Sequence, residues 1–323
     1  MRPWYFVVAA FAATPAAGAP RFGLPIACDI GKTCWVQQYF DHDATAAAAD
    51  YNCGRETYDG HDGTDIRIRD TSQHADVVAS AAGTVAAVRD GVADHLVRTD
   101  ADRAAIKDIE CGNGVLIDHG GGWQTQYCHL RKASLAVRKG QQVSAGDRLG
   151  QAGFSGMAGF PHVHLTVREN GKAVDPFRNG PQATASCGGM DNPLWTDEAQ
   201  TSLSYHQGDL IGFGFAPGPV EMPQLEDGTA FSLEPARDWP ALVAFGWAVN
   251  LREGDRMTAS LQGPGGIAAS NTAGLDRSKA QYMLFAGTRK PRGGWPKGTY
   301  VGKVTIGAGD APRLFKEWRF TLR

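Results

Sequence analysis

The sequence lacks an excess of charge of either sign: 32 Lys and Arg residues stand against 34 Asp and Glu residues, and the formal net charge is −2. A chain with this balance has no broad positive field that would attract nucleic acid or an anionic membrane surface. We therefore expect no nucleic-acid partner. With 323 residues, no clear internal repeat and no low-complexity tail, the chain is long enough for two ordinary globular domains.

Long apolar runs are also missing, since no segment approaches the roughly 20 apolar residues that a membrane-spanning helix needs. The apolar stretch at 5–13 is shorter, follows the basic residue Arg2 and precedes small residues that extend through Ala19. This order is typical of a secretory signal peptide. We predict a signal peptide at 1–19, a periplasmic or secreted protein, and no membrane span after the signal is removed.

No pair of cysteines has the Cys-x-x-Cys spacing of a structural zinc site, which disfavours cysteine ligation of a metal. The six cysteines all follow the predicted signal, and an exported protein meets an oxidising compartment, so up to three disulfides are expected. Proximity in sequence suggests that Cys28 pairs with Cys34 and that Cys111 pairs with Cys128.

Helical periodicity is scarce, and short alternating segments separated by glycine dominate residues 25–180. Residues 65–69 alternate polar and apolar side chains, which is typical of a half-buried strand. The glycine turn at 120–122 between two apolar segments predicts a hairpin. We predict a mainly antiparallel β domain at 20–180, a linker at 181–205 and a small β-sandwich at 206–323.

Histidines and one aspartate stand out in three places along the predicted β domain. His61 and Asp65 lie four residues apart in a loop that contains two glycines, and imidazole and carboxylate are both ordinary zinc ligands. His162 and His164 occupy one face of a predicted strand whose other face is aliphatic, an arrangement that packing does not explain. His129 lies near the end of the second strand of the predicted hairpin, which runs from Thr125 to Leu130.

Together these motifs resemble the lysostaphin-like, or LytM-type, zinc peptidoglycan endopeptidases, over about residues 55–178. The resemblance rests on His-x-x-x-Asp, Tyr-x-His-Leu and His-x-His motifs that occur in the family's order. It implies that His61, Asp65 and His164 hold Zn²⁺ and that His129 and His162 are unligated catalytic histidines. Which of these two is the general base stays open.

The strand pattern and the resemblance together predict an all-β fold: a mainly antiparallel β catalytic domain with a groove and a Cys-rich lead-in, followed by a small Ig-like β-sandwich that the spacing of strands and turns indicates. It also implies an exported zinc metalloendopeptidase that hydrolyses peptide bonds in peptidoglycan cross-links, with the stem or cross-link peptides as partners. Two alternatives remain: a zinc endopeptidase acting on Gly-rich proteins, and a non-catalytic or regulatory cell-wall-binding protein. A partner protein for the C-terminal domain is not identified.

Overall fold

Antiparallel β-strands dominate the computed structural model, which describes residues 18–179, 188–309 and 312–323. This architecture confirms the all-β prediction. Most of the predicted signal peptide lies outside the described residues. Within the described ranges, no helix is long and apolar enough to cross a membrane.

The N-terminal sheet is built from strands in the order β1-β2-β9-β6-β5-β4-β7, with β10 added beside β9 and a separate pair formed by β3 and β8. Their bounds are β1 Cys34–Gln38, β2 Thr64–Ile68, β3 Asp76–Val78, β4 Gly83–Arg89, β5 Asn113–Gly120, β6 Trp123–Leu130, β7 Gln142–Val143, β8 Arg148–Gln151, β9 His162–Glu169 and β10 Lys172–Val174. The predicted hairpin is present, because β5 and β6 pair on either side of the glycine turn.

Strand β9 shows why this sheet forms. Its aliphatic residues Val163, Leu165 and Val167 are all 0% exposed and pack into the N-terminal core. Burial of each side chain contributes roughly 1.5–3 kcal/mol. A register slip by one residue would expose all three, so the pairing register of this strand is strongly specified. The opposite face presents His162 and His164 toward a cleft.

Two short helices belong to this half of the chain. Helix α1, Asp100–Ala105, begins at the capping box of Thr99 and Asp102 and carries no buried residue. Helix α2, Asp197–Ser202, lies inside the segment predicted to be a linker. Trp195 and Leu203, at its two ends, are buried in the N-terminal core. The domain boundaries remain a prediction, but the described part of 188–205 packs onto the N-terminal sheet.

The C-terminal part is a sandwich of two sheets, β11-β12-β15 and β14-β13-β16-β17. Its elements are β11 Asp209–Ala216, α3 Met222–Glu226, β12 Ala241–Leu251, β13 Arg256–Gln262, β14 Ala268–Gly274, β15 Lys279–Arg289, β16 Gly298–Gly307 and β17 Leu314–Leu322, with short 3-10 turns at Thr229–Phe231 and Pro264–Gly266. Strand β12 is buried on both faces: Ala248 faces the core between the sheets, whereas Trp247 faces a second cluster.

That second cluster joins the sandwich to the N-terminal sheet. Trp35 of β1 is 4% exposed and packs in the same cluster as Trp247. Trp35 is the cross-strand partner of Arg67 in β2, so these two side chains share one face of the sheet. Period two places Asp65 on that face as well. The sandwich therefore covers the β1 end of the sheet face that carries Asp65.

Disulfides brace the N-terminal sheet at two points. Cys28 is bonded to Cys34 and Cys111 to Cys128, which confirms both predicted pairs. Cys53 is disulfide-bonded as well. Cys187 lies outside the described residues. The Cys111–Cys128 bond ties the segment before β5 to the end of β6, next to His129.

Candidate metal centre

Strand pairing brings the three predicted ligands together. In the β2–β9 ladder, Asp65 is directly opposite His164, and His61 reaches them from the loop before β2. One donor atom from each of these three residues lies within 4.8 Å of the others. The His164 Nδ1 to Asp65 Oδ1 distance is 2.8 Å, and His61 Nε2 lies 3.2 Å from the same oxygen and 3.1 Å from His164 Nδ1.

Outer hydrogen bonds orient both imidazoles. His61 Nδ1 donates to the Tyr39 carbonyl oxygen at 2.6 Å. His164 Nε2 lies 2.9 Å from Thr166 Oγ1 and 3.3 Å from Asp62 Oδ1. With a proton on each outer nitrogen, His61 Nε2 and His164 Nδ1 present lone pairs to the same point as Asp65.

Asp65 supplies a negative charge to this centre. His61 and Asp65 are 2% and 3% exposed. Burial alone would raise the pKa of Asp65, but the facing histidines hold it well below its usual range, so the carboxylate is ionised. Burial opposes protonation of His164, yet hydrogen bonds to Asp62 and Asp65 raise its pKa to about 9, so a metal ion that binds at Nδ1 would displace a proton from this imidazole. Two nitrogens and one carboxylate oxygen form a donor set typical of a catalytic zinc site.

His129 and His162 stand beside this centre with their rings 4.6 Å apart. His129 Nδ1 donates to the Ser155 carbonyl oxygen, and His162 Nδ1 donates to that of Phe160, each at 2.8 Å. Burial lowers the pKa of both imidazoles, that of His129 well below its usual value. Both are therefore neutral near pH 7, and each has an unprotonated Nε2 that can accept a proton.

The backbone of His129 is unusual, because its φ angle of +63° lies in the left-handed region that non-glycine residues rarely adopt. The β5–β6 ladder is irregular there, with a register shift between Asn113 and Val115. Regular alternation would place His129 on the buried face with Tyr127, which pairs with Leu165. The irregularity turns His129 toward His162 instead. Such local strain is characteristic of functional sites.

A cleft of about 360 Å³ opens above these residues, and it is lined by Gln38, Tyr58, Asp65, Val97, Arg103, His129, Met157, Gly159, Phe160, His162 and His164. The Phe160 ring lies 4.5 Å from that of His162. The guanidinium of Arg67, which is 0% exposed, lies 5.0 Å from the rings of both Phe160 and Trp247. The sandwich thus contacts this wall of the cleft through Arg67.

A second link to the wall comes from Arg98. It donates to the Gly159 carbonyl oxygen at 2.6 Å and forms an ion pair with Glu226 at 2.8 Å. Because Glu226 belongs to α3, the segment 159–160 is held from the N-terminal sheet and from the C-terminal part at once.

The site contains residues that the sequence analysis did not select. Thr166 shares the period-two face of His164, so the strand pattern could have indicated it. Asp62 lies between His61 and Asp65 in the same loop, but nothing in the sequence separates it from a surface acid. Tyr39 contributes its backbone carbonyl, which no side-chain pattern can reveal.

The part of the chain that contains this centre is similar in sequence to known proteins. Residues 59–176 match Peptidase family M23, which confirms the expected resemblance. The chain is 33% identical over 117 residues to an uncharacterized metalloprotease of Haemophilus influenzae, covering 36% of this chain and 20% of that protein. It is 40% identical over 75 residues to the peptidoglycan DD-endopeptidase ShyA of Vibrio cholerae, covering 23% and 17%.

Among solved structures, the chain is similar to the catalytic domain of the antimicrobial peptidase lysostaphin from Staphylococcus simulans. It is 19% identical, covers 43% of this chain and 85% of that chain, and has a TM-score of 0.27. The chain spans a fifth or less of the length of the two curated relatives described above.

Proposed function

We propose that the protein is an exported zinc metalloendopeptidase that hydrolyses peptide bonds in peptidoglycan cross-links, on the basis that residues 59–176 match Peptidase family M23. One observation carries the proposal. The donor atoms of His61, Asp65 and His164 converge within 4.8 Å, next to two neutral histidines that do not belong to the donor set.

The proposed ligands of the zinc ion are His61 Nε2, Asp65 Oδ1 and His164 Nδ1. Three protein ligands leave a position open, as catalytic zinc sites do. When bound, zinc supplies Lewis acidity toward a substrate carbonyl and lowers the pKa of water toward about 7. The outer partners of His61 and His164 orient the two rings so that Nε2 of His61 and Nδ1 of His164 face the ion.

His129 and His162 are the proposed proton carriers. Each has Nδ1 engaged with a carbonyl oxygen, which leaves Nε2 as the proton-accepting atom. One Nε2 takes a proton from the attacking water, and the resulting imidazolium then gives that proton to the leaving amine nitrogen as the C–N bond breaks. Positioned general acid–base groups contribute about 10²–10⁴-fold in rate.

The proposed substrate and the proposed cellular location are supported by different observations. The relative from Vibrio cholerae is named a peptidoglycan DD-endopeptidase, and the match to it favours the same substrate class here. Disulfides are stable in an oxidising compartment, which favours export. The sequence pattern at 1–19 agrees with a periplasmic or secreted location.

The proposal is tested by digesting purified peptidoglycan with the zinc-loaded protein and identifying new peptide termini by mass spectrometry. We expect new amine and carboxyl termini at cross-links, abolished by a chelator and restored by zinc. His129→Ala leaves all three proposed ligands in place, so it should still bind zinc but release new termini far more slowly. Absence of new termini with peptidoglycans of differing cross-links would refute the endopeptidase, and cleavage of a Gly-rich protein instead would reassign its substrate.

A further inference from the structure

A cavity of about 730 Å³ lies between the lead-in of the N-terminal sheet and the C-terminal sandwich, apart from the metal centre. Residues 37–38, 46–48 and 53–57 line one side, and residues 250–253 and 278–280 line the other. Its volume lies within the range of small-molecule and peptide sites, roughly 300–1,000 Å³. Neither the metal centre nor its two histidines contribute to it.

This cavity and the catalytic cleft meet at one residue. Gln38 lines both spaces, and it pairs with the proposed ligand Asp65 across β1 and β2. An extended peptide rises about 3.3 Å per residue, so a chain that leaves the cleft past Gln38 enters the cavity within a few residues. The cavity is therefore placed to hold a segment next to the bond in the cleft.

A buried carboxyl group with one unpartnered oxygen lines the cavity. Glu56 is 5% exposed, and its Oε1 has no hydrogen-bond partner among the described residues. Its Oε2 accepts from Asn250 Nδ2 at 3.3 Å, and Arg252 Nη2 lies 3.8 Å from Oε1. Burial, reinforced by Asp50, raises the pKa of Glu56 to about 8, so this carboxyl group carries a proton at neutral pH. A protonated carboxyl donates a hydrogen bond to an incoming acceptor.

The remaining charges around the cavity are mostly positive. Three cationic residues line it: Arg55, Arg252 and Lys279. Apart from Glu56, one acidic residue, Glu253, lines it as well. Arg55 is exposed and makes no side-chain hydrogen bond or ion pair within the described part of the chain. Cations together with a protonated carboxyl group favour a carboxylate, because the ligand's oxygens receive donors from several sides.

From these observations we propose that the cavity is a second substrate-binding site, which holds a carboxylate-bearing peptide segment while the neighbouring segment lies in the catalytic cleft. The inference rests on the proposed endopeptidase function and adds that the C-terminal sandwich takes part in substrate selection. Arg252 and Lys279 come from the sandwich, and Arg55 comes from the lead-in.

Binding to the metal-free protein tests the site without turnover. The probe is a cross-linked stem-peptide dimer with free carboxylates, compared by calorimetric titration with the same dimer after amidation. The variant carries Arg55→Gln and Lys279→Gln, and the matched control carries Lys290→Gln and Arg292→Gln, which remove the same charge from exposed positions outside the cavity. We expect the Kd for the acidic dimer to be about tenfold higher in the variant and unchanged in the control.

Turnover of the zinc-loaded protein separates this inference from the proposed function. We expect the variant to raise KM for the acidic dimer about tenfold more than for the amidated dimer. An unchanged Kd and an unchanged KM ratio in the variant would overturn the second site while the peptidase function stands. Tight, charge-dependent binding without any cleavage would support the site and count against the peptidase.

Discussion

The outer hydrogen bonds of His164 offer a direct test of the metal centre, through Asp62→Asn. Asp62 Oδ1 lies 3.3 Å from His164 Nε2. Its carboxylate favours the tautomer in which Nε2 carries the proton and Nδ1 is free to bind a metal. An amide at this position can still accept a hydrogen bond but lacks the negative charge, so it orients the ring less strongly and makes Nδ1 less basic.

The size of the effect follows from exposure. Loss of an outer partner typically costs about 10–100-fold in metal affinity. The Asp62 side chain is 49% exposed, so solvent screens it and we expect the lower end, about tenfold or ~1.4 kcal/mol. Thr166 is 1% exposed and lies 2.9 Å from the same nitrogen, so Thr166→Val should cost about as much. Because both groups accept from the same N–H, each partly compensates for loss of the other, so the double variant should lose more than the sum of the two free energies.

The assay is a competition titration of the metal-free protein with zinc against a fluorescent chelator. Asp59→Asn is the matched control, since Asp59 is an exposed acid in the same loop and its side chain makes no hydrogen bond within the described residues. The control removes the same charge and should leave the zinc Kd unchanged. Equal zinc affinity in Asp62→Asn, Asp59→Asn and the unaltered protein would refute the outer-bond reasoning.

Three further predictions concern catalysis and stability. His129→Ala and His162→Ala should each lower kcat about 10²–10⁴-fold at unchanged zinc content, measured by peptide release and metal analysis; full activity of both would contradict the proposed roles. Glu56 has a folded pKa of about 8 against about 4.3 when unfolded, so stability falls as pH rises between these values. Glu56→Gln should therefore stabilise the protein by roughly 3–5 kcal/mol more at pH 9 than at pH 5 in urea unfolding, and a pH-independent difference would count against this. Arg67→Ala should cost about 3–5 kcal/mol, because two ring contacts and several buried hydrogen bonds are lost, whereas the exposed Arg292→Ala should cost little; a loss below about 1 kcal/mol for Arg67→Ala would contradict this.

Much of the fold could be predicted because its signals are local. The alternation in β9 and the glycine turn between β5 and β6 depend on residues close in sequence, and both elements appear where expected. Strand β14 carries no such local signal, because Ala268–Gly274 is an edge strand of small and polar residues without apolar alternation. Helix α1 was missed for a related reason: six residues with no buried side chain carry no amphipathic pattern.

The packing between the two parts of the chain could not be predicted from the sequence. Arg67 reads as the polar member of an alternating strand, which suggests exposure to solvent. The structure buries it between Phe160 and Trp247, residues distant from each other in sequence. A charge is tolerated there because aromatic faces and buried oxygens replace water around it, and that environment exists only after the sandwich has packed against β1 and β2.

The sequence by itself determined which donor types this protein offers and that His162 and His164 share a strand face, because period two is a property of the local chain. Only the tertiary structure decided that Asp65 stands opposite His164, since cross-strand register depends on long-range pairing. The clearest case is His129, which regular alternation assigns to the buried face. Its positive φ and the irregular β5–β6 pairing turn it toward His162, and the Cys111–Cys128 bond next to it ties the strand end in place.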